Sequence, residues 1–236
     1  MKKLWILSLN DLRNIVRDKI LLILFMVPML NIACLYYLLP VVVEKFPVLG
    51  AYTSVVLAVF CSVTAVTPAY VISFIMLDEK DENLLTVMRV MPISPLYFIF
   101  YRMGFTVLFG FAGVLLTLLC FAGDHPVPVL LGLSLLFALM APIATLGIVT
   151  FANNKVEGVT MLKGINFMMM LPLLAFFISS SWKFVLGIIP VYWTYLIFQS
   201  LNEPLHFATY FSIGLAMHTL LLAVLYRWFS RKVFSG

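Results

Sequence analysis

Four of the ten acidic residues, Asp78, Glu79, Asp81 and Glu82, fall within five positions of a chain in which only 11% of residues are charged. Behind them Leu84, Val87, Met88 and Met91 recur at i, i+3, i+4 and i+7, while Glu82, Thr86 and Arg89 take the other face. Carboxylates favour a helix N-terminus and arginine a later turn, so the stretch "DEKDENLLTVMRVMPISP" predicts a short amphipathic helix that begins in the acid cluster. Pro92 ends it, and Ser94 followed by Pro95 is a suitable N-cap and first-turn pair for the next helix. Such a knob suits docking on a partner, and it equally suits an ordinary solvated loop helix.

The other reactive side chains lack the spacing that catalysis or metal binding needs. The sequence contains no G-x-x-x-x-G-K-S/T, H-E-x-x-H, G-x-S-x-G or C-x-x-C pair. His125, His206 and His218 are scattered, and Cys34, Cys61 and Cys120 sit in hydrophobic runs, where they read as packing residues. An enzyme working inside a bilayer needs paired carboxylates or a nucleophile with its base at that depth, and the acidic residues lie outside the runs. The chain is therefore expected to hold no catalytic site, metal or cofactor of its own.

The elements that position the acidic knob follow from hydropathy. The 236 residues are 64% hydrophobic, with a mean hydropathy of +1.11, far from the composition of soluble domains. Runs near 20–40, 51–77, 96–122, 129–152, 159–180 and 207–226 each reach the length that a helix needs to cross ~30 Å of hydrocarbon. They lack the alternation of barrel strands, so the expected fold is an all-α integral membrane protein with six transmembrane helices, one domain over 1–236. A net charge of +5 could suggest nucleic acid, but its placement has another cause. With the N-terminus inside, 13 of the 15 basic residues fall on inner segments and only Lys45 and Lys183 outside, which is the positive-inside pattern for N-in and C-in.

Ahead of the first span, Trp5, Leu9, Leu12 and Val16 share one face and Lys3, Arg13 and Arg17 another, which predicts an interfacial elbow helix over 4–19. Charges that continue to Lys19 and the missing cleavage site argue against a signal peptide. Pro28, Pro68, Pro142 and Pro172 mark kinks within spans. The segment 179–206 carries an apolar stretch from Trp182 to Phe198 broken by Gly187 and Pro190. A seventh crossing there would export Arg227, Arg231 and Lys232, so a re-entrant or interfacial pair of short outer helices is expected, with Trp182, Tyr192, Trp193 and Tyr195 at headgroup level. Lys163 lies near enough to the start of the fifth run to snorkel. Asn31, Thr67 and Asn166 are the candidate polar residues of a substrate pathway, and hydrogen bonding between helices explains Asn31 equally well.

The elbow, six spans, acidic segment after the second span and leucine-rich stretch ending in "MPISP" resemble the membrane subunits of type-two ATP-binding-cassette exporters. Within that group, "LDEKDENLLTVMRVMPISPLYFIFYRM", Leu77 to Met103, looks most like the permeases of small bacterial drug exporters of the fluoroquinolone-exporter kind. Many members carry a Gly-Thr pair after the acidic cluster, where this chain has Asn83 and Leu84. The resemblance implies that 78–95 holds a cytoplasmic coupling helix, with Glu82, Leu84, Leu85, Met88, Arg89 and Met91 meeting a separate ATPase subunit. It also implies that ATP and Mg are bound by that partner, and that two permeases pair in a prokaryotic inner membrane. The cargo implied is a hydrophobic or amphipathic small molecule moved outward. A membrane anchor or sensor that uses the same segment, without transport, is the alternative.

Overall fold

The computed structural model describes residues 13, 15–82, 95–201 and 206–234. Among these residues every regular element is helical: α1 (Lys19–Lys45), α2 (Thr53–Asp81), α3 (Pro95–Phe121), α4 (Val127–Ala138), α5 (Met140–Phe151), α6 (Lys155–Met170), α7 (Val191–Gln199) and α8 (Phe207–Phe234). Six segments are long and apolar enough to span a bilayer, with α4 and α5 forming one of them and α7 too short to form another. The elbow is described only at residues 13 and 15–17, which are helical; the rest of 4–19 before α1, apart from Asp18, lies outside the described residues.

The spans are not equivalent. Of the most apolar stretch of the second and fourth spans, 72% is buried inside the chain, against 11% for the first. The second span is thus the central post, packed against the third and fourth, with the first and fifth also lying on it. Apolar burial alone does not drive helices together in lipid, so close approach and polar contacts must. Gly110 and Gly113 on α3 permit that approach: a Cβ at Gly110 would meet the Ala65 carbonyl oxygen at 2.8 Å, and one at Gly113 the Thr64 methyl at 2.9 Å. Hydroxyls that would be costly in hydrocarbon are satisfied within their own helix, as where Ser62 donates to Ala58 O (2.8 Å) and Ser134 to Leu130 O (2.7 Å). Cys61 is buried in this core, whereas Cys120 is exposed on the outside of α3, so the packing expectation fits only the former.

Proline effects differ by site. Pro28 and Pro68 sit inside continuous helices. At Pro142 the fourth span divides at Leu139, leaving the proline in the first turn of α5, where its missing N–H costs least. At Pro172 the fifth span tightens from α6 into a 3-10 turn, Leu171–Phe176.

Beyond it the chain forms a 3-10 stretch, Ser181–Ile188, and then α7. Trp182 is exposed, but Tyr192 and Tyr195, expected at headgroup level, face protein instead and are fully buried. Polar contacts of Tyr195 and Gln199 account for the burial of α7, whereas the Tyr192 hydroxyl is buried with no hydrogen-bond partner among the described residues. Tyr195 Oη lies 2.7 Å from Ser62 Oγ of the central post, and Gln199 Nε2 donates to Ala175 O (3.1 Å), so polar partners within the bundle draw α7 inward.

The Gly110 contact sets a test. Gly110→Val is expected to lower the thermal stability of the detergent-solubilised chain, since overpacking against backbone costs about 1–3 kcal/mol. Gly104→Ala, whose Cβ meets nothing within 4 Å, is expected to leave it unchanged, as read from the temperature at which the monodisperse elution peak is half lost.

Candidate functional site

The acid cluster occupies a different place from the one its composition suggests. Asp78, Glu79 and Asp81 lie in the last turn of α2, and Glu82 is its exposed C-cap, so the carboxylates end the second span rather than begin a separate helix. At a helix C-terminus they oppose the macrodipole, which requires compensation from elsewhere.

That compensation comes from three directions. Arg102, about two turns beyond the described start of α3, forks onto Glu79 with both terminal nitrogens at 2.6 Å; it is 2% exposed and Glu79 19%. This fork-to-fork geometry is the strong form of a charge-assisted pair. Lys155, at the start of α6, lies 2.8 Å from Asp78 and 3.6 Å from Asp18, just before α1. Being about 40% exposed, that bridge contributes less energy than geometry, since it joins the first, second and fifth spans at one level. Lys80 turns away from the acids and donates to Ala152 O (2.6 Å), and Lys232 donates to Thr150 O (2.8 Å), so two lysines cap the carbonyl end of α5. The turn into α6 is closed by a reciprocal cap: Asn154 accepts from Glu157 N (2.9 Å) while Glu157 accepts from Asn153 N (2.8 Å).

All six spans therefore meet at this basic end through charged side chains. Beside it lies a cavity of about 580 Å³ lined by Arg17, Asp18, Asp78, Glu79 and Glu82, with Leu21 and Ile75 at its inner wall. Glu82, the last described residue before the segment 83–94, belongs to this lining. Leu84, Leu85, Met88, Arg89 and Met91 lie outside the described residues, and Glu82 is the one predicted docking residue that the structure positions.

The candidate pathway residues do not converge. Asn31 Nδ2 donates to Thr64 Oγ1 (3.1 Å), joining the first and second spans. Asn166 accepts from the Tyr70 hydroxyl, joining the second and fifth. Thr67 donates to Val63 O (2.7 Å) and edges a cavity of about 250 Å³ near Pro28 and Phe109 that neither asparagine lines. The two asparagines use their polar atoms to join helices, and Thr67 is satisfied within its own helix. Sequence reasoning placed Glu79, Lys80, Arg102, Lys155 and Lys232 on the inner side but missed their pairings. The available signal was that all five sit at span ends of the same parity.

An all-helical, six-span membrane protein with its ionic network at one end is the class these features define. The chain belongs to the family described as fluoroquinolones export permease protein Rv2686c-like, which it matches over residues 11–226. It is 27% identical over 232 residues to the fluoroquinolones export permease protein Rv2686c of Mycobacterium tuberculosis (strain ATCC 25618 / H37Rv), with 94% of this chain and 92% of the relative covered. The same figures hold for the fluoroquinolones export permease protein MT2760 of the CDC 1551 / Oshkosh strain. No solved structure matches. The likeness first drawn from Leu77–Met103 is thus borne out along nearly the whole chain.

If the Arg102–Glu79 pair is the structural joint of this end, removing one partner strands the other in a poorly solvated position, a loss of about 3 kcal/mol or more. Arg102→Ala and Glu79→Ala are each expected to lower the thermal unfolding temperature by several degrees, and the double variant by less than the sum. Additive losses would show that the two side chains are not coupled.

Proposed function

We propose that this chain is the membrane-spanning permease of an ATP-driven exporter, and that its basic end faces the cytoplasm of a prokaryotic cell across the inner membrane. The carrying observation is the anchorage of the segment 83–94. One end continues directly from the buried central post and the other leads directly into α3, which holds Arg102 against that post. A force applied to such a segment is delivered to the second and third spans together, and through Lys155 to the first and fifth. The partner is a separate ATP-binding-cassette ATPase, which binds ATP and Mg. Glu82, Leu84, Leu85, Met88, Arg89 and Met91 form the docking surface.

The working unit contains a second permease copy, identical or related. Support for this comes from the thinly covered first span, whose exposed Ile23, Met29 and Leu30 leave apolar surface for lipid and for a neighbour. The relatives are named for fluoroquinolone export, and we carry that class over as the cargo: an amphipathic, drug-like molecule moved outward. Division of the fourth span at Leu139 and tightening of the fifth at Pro172 provide places where the spans can rearrange between two states as the ATPase dimer closes.

Charge reversal at Glu82 or Arg89, or Leu85→Asp, is expected to reduce drug export at least tenfold while membrane insertion and the partner's ATP hydrolysis persist. Export assays and ATPase rates on co-purified complexes check this. Full export in those variants would remove the docking role. A wild-type chain that purifies without any ATP-binding-cassette ATPase would remove the exporter reading and leave a membrane anchor.

A further inference from the structure

A cavity of about 310 Å³, at the lower end of the range for ligand pockets, lies between the fourth, fifth and sixth spans, with Ile188–Val191 of the inward-turning segment closing one side. Its lining runs from Phe151, at the capped end of α5, to Ile188–Val191, and includes no charged side chain and none of Asn31, Thr67 and Asn166. Its wall is apolar and includes four methionines, Met140, Met161, Met168 and Met169. The exception is His218, which is fully buried and sits roughly 16 Å along α8, near the middle of a bilayer's hydrocarbon.

The histidine is half satisfied. Nδ1 lies 2.7 Å from Gly214 O, an atom that can only accept, so Nδ1 carries a proton and donates. In the neutral ring Nε2 is then a bare acceptor, and it is buried with no hydrogen-bond partner among the described residues. Packing would be served better by leucine, and a helix tie would use both nitrogens; an orphaned acceptor on an otherwise greasy wall suits a ligand that brings its own donor. No carboxylate or cation lines the cavity, so a charged ligand group would enter without a counter-ion. Nε2 is covered in this state, and the unbranched methionines are side chains that can yield to a ligand reaching it.

We propose that this cavity binds an apolar, ring-sized molecule carrying one neutral hydroxyl or amine, whose hydrogen is accepted by His218 Nε2. The site stands apart from the export reading, since binding is measured on the full chain alone. The probes are β-naphthol, which has the donor, and its methyl ether, which lacks it, with the protein in lipid nanodiscs and empty nanodiscs as the partition baseline. Wild type is expected to bind naphthol saturably and roughly three- to tenfold more tightly than the ether after that correction, the range of one neutral hydrogen bond. His218→Leu is expected to bind both alike at the wild-type affinity for the ether, which also reports an intact fold. Ile143→Trp, which fills the cavity, is expected to bind neither. Equal affinities in wild type, a naphthol preference that survives His218→Leu, or no saturable binding of either probe would overturn the proposal.

Discussion

The bidentate pair between Arg102 and Glu79 is the constraint on which this architecture rests. Glu79 belongs to the last turn of the central span, where its charge runs against the helix dipole, and Arg102 enters from a neighbouring span at 2% exposure. Neither group is comfortable alone at that depth, and together they fix the level and rotation of α3 against α2. The remaining charges work around this joint. Lys155 brings in the first and fifth spans through Asp18 and Asp78, while Lys80 and Lys232 bring in the carbonyl end of the fourth. One end of the bundle is held by ion pairs and capped carbonyls, and the rest by close packing at Gly110 and Gly113 and by single hydrogen bonds such as Tyr195 to Ser62.

That division has a mechanical consequence. The charged end is where rigid connections converge, so a push delivered there moves several spans as a body. Away from that end, the breaks at Leu139, midway along the fourth span, and at Leu171 interrupt regular helix, and α7 is seated between the central post and the sixth span. A rigid base with segmented upper helices is an arrangement in which a small movement at one end is converted into repacking at the other.

The spans themselves were legible in the sequence, because hydrocarbon leaves the backbone so few alternatives that hydropathy alone identifies them. The acid cluster was legible as a site and misread as an element. Carboxylates favour helix N-termini, and only the partners from distant segments, Arg102 and Lys155, make their place at the end of α2 tenable. The burial of Tyr195 was not legible for a similar reason. Its type suits the headgroup region, but what it packs against is set by the partner hydroxyl on Ser62, more than a hundred residues away. The polar residues Asn31, Thr67 and Asn166 could be picked out by type, yet whether they line a path or hold helices depends on which atoms face them, and type does not encode that. The family likeness was carried by Leu77–Met103 and extends across residues 11–226.

The central claim is that this chain converts work done by a cytoplasmic ATPase into outward movement of an amphipathic drug. Its most direct measurement is fluoroquinolone accumulation in inverted vesicles that contain the chain and its co-purifying ATPase. The account predicts accumulation that requires hydrolysable ATP and stops with a non-hydrolysable analogue. An ATPase that binds the chain and hydrolyses ATP with no accumulation, or accumulation that proceeds without any ATPase, would contradict it.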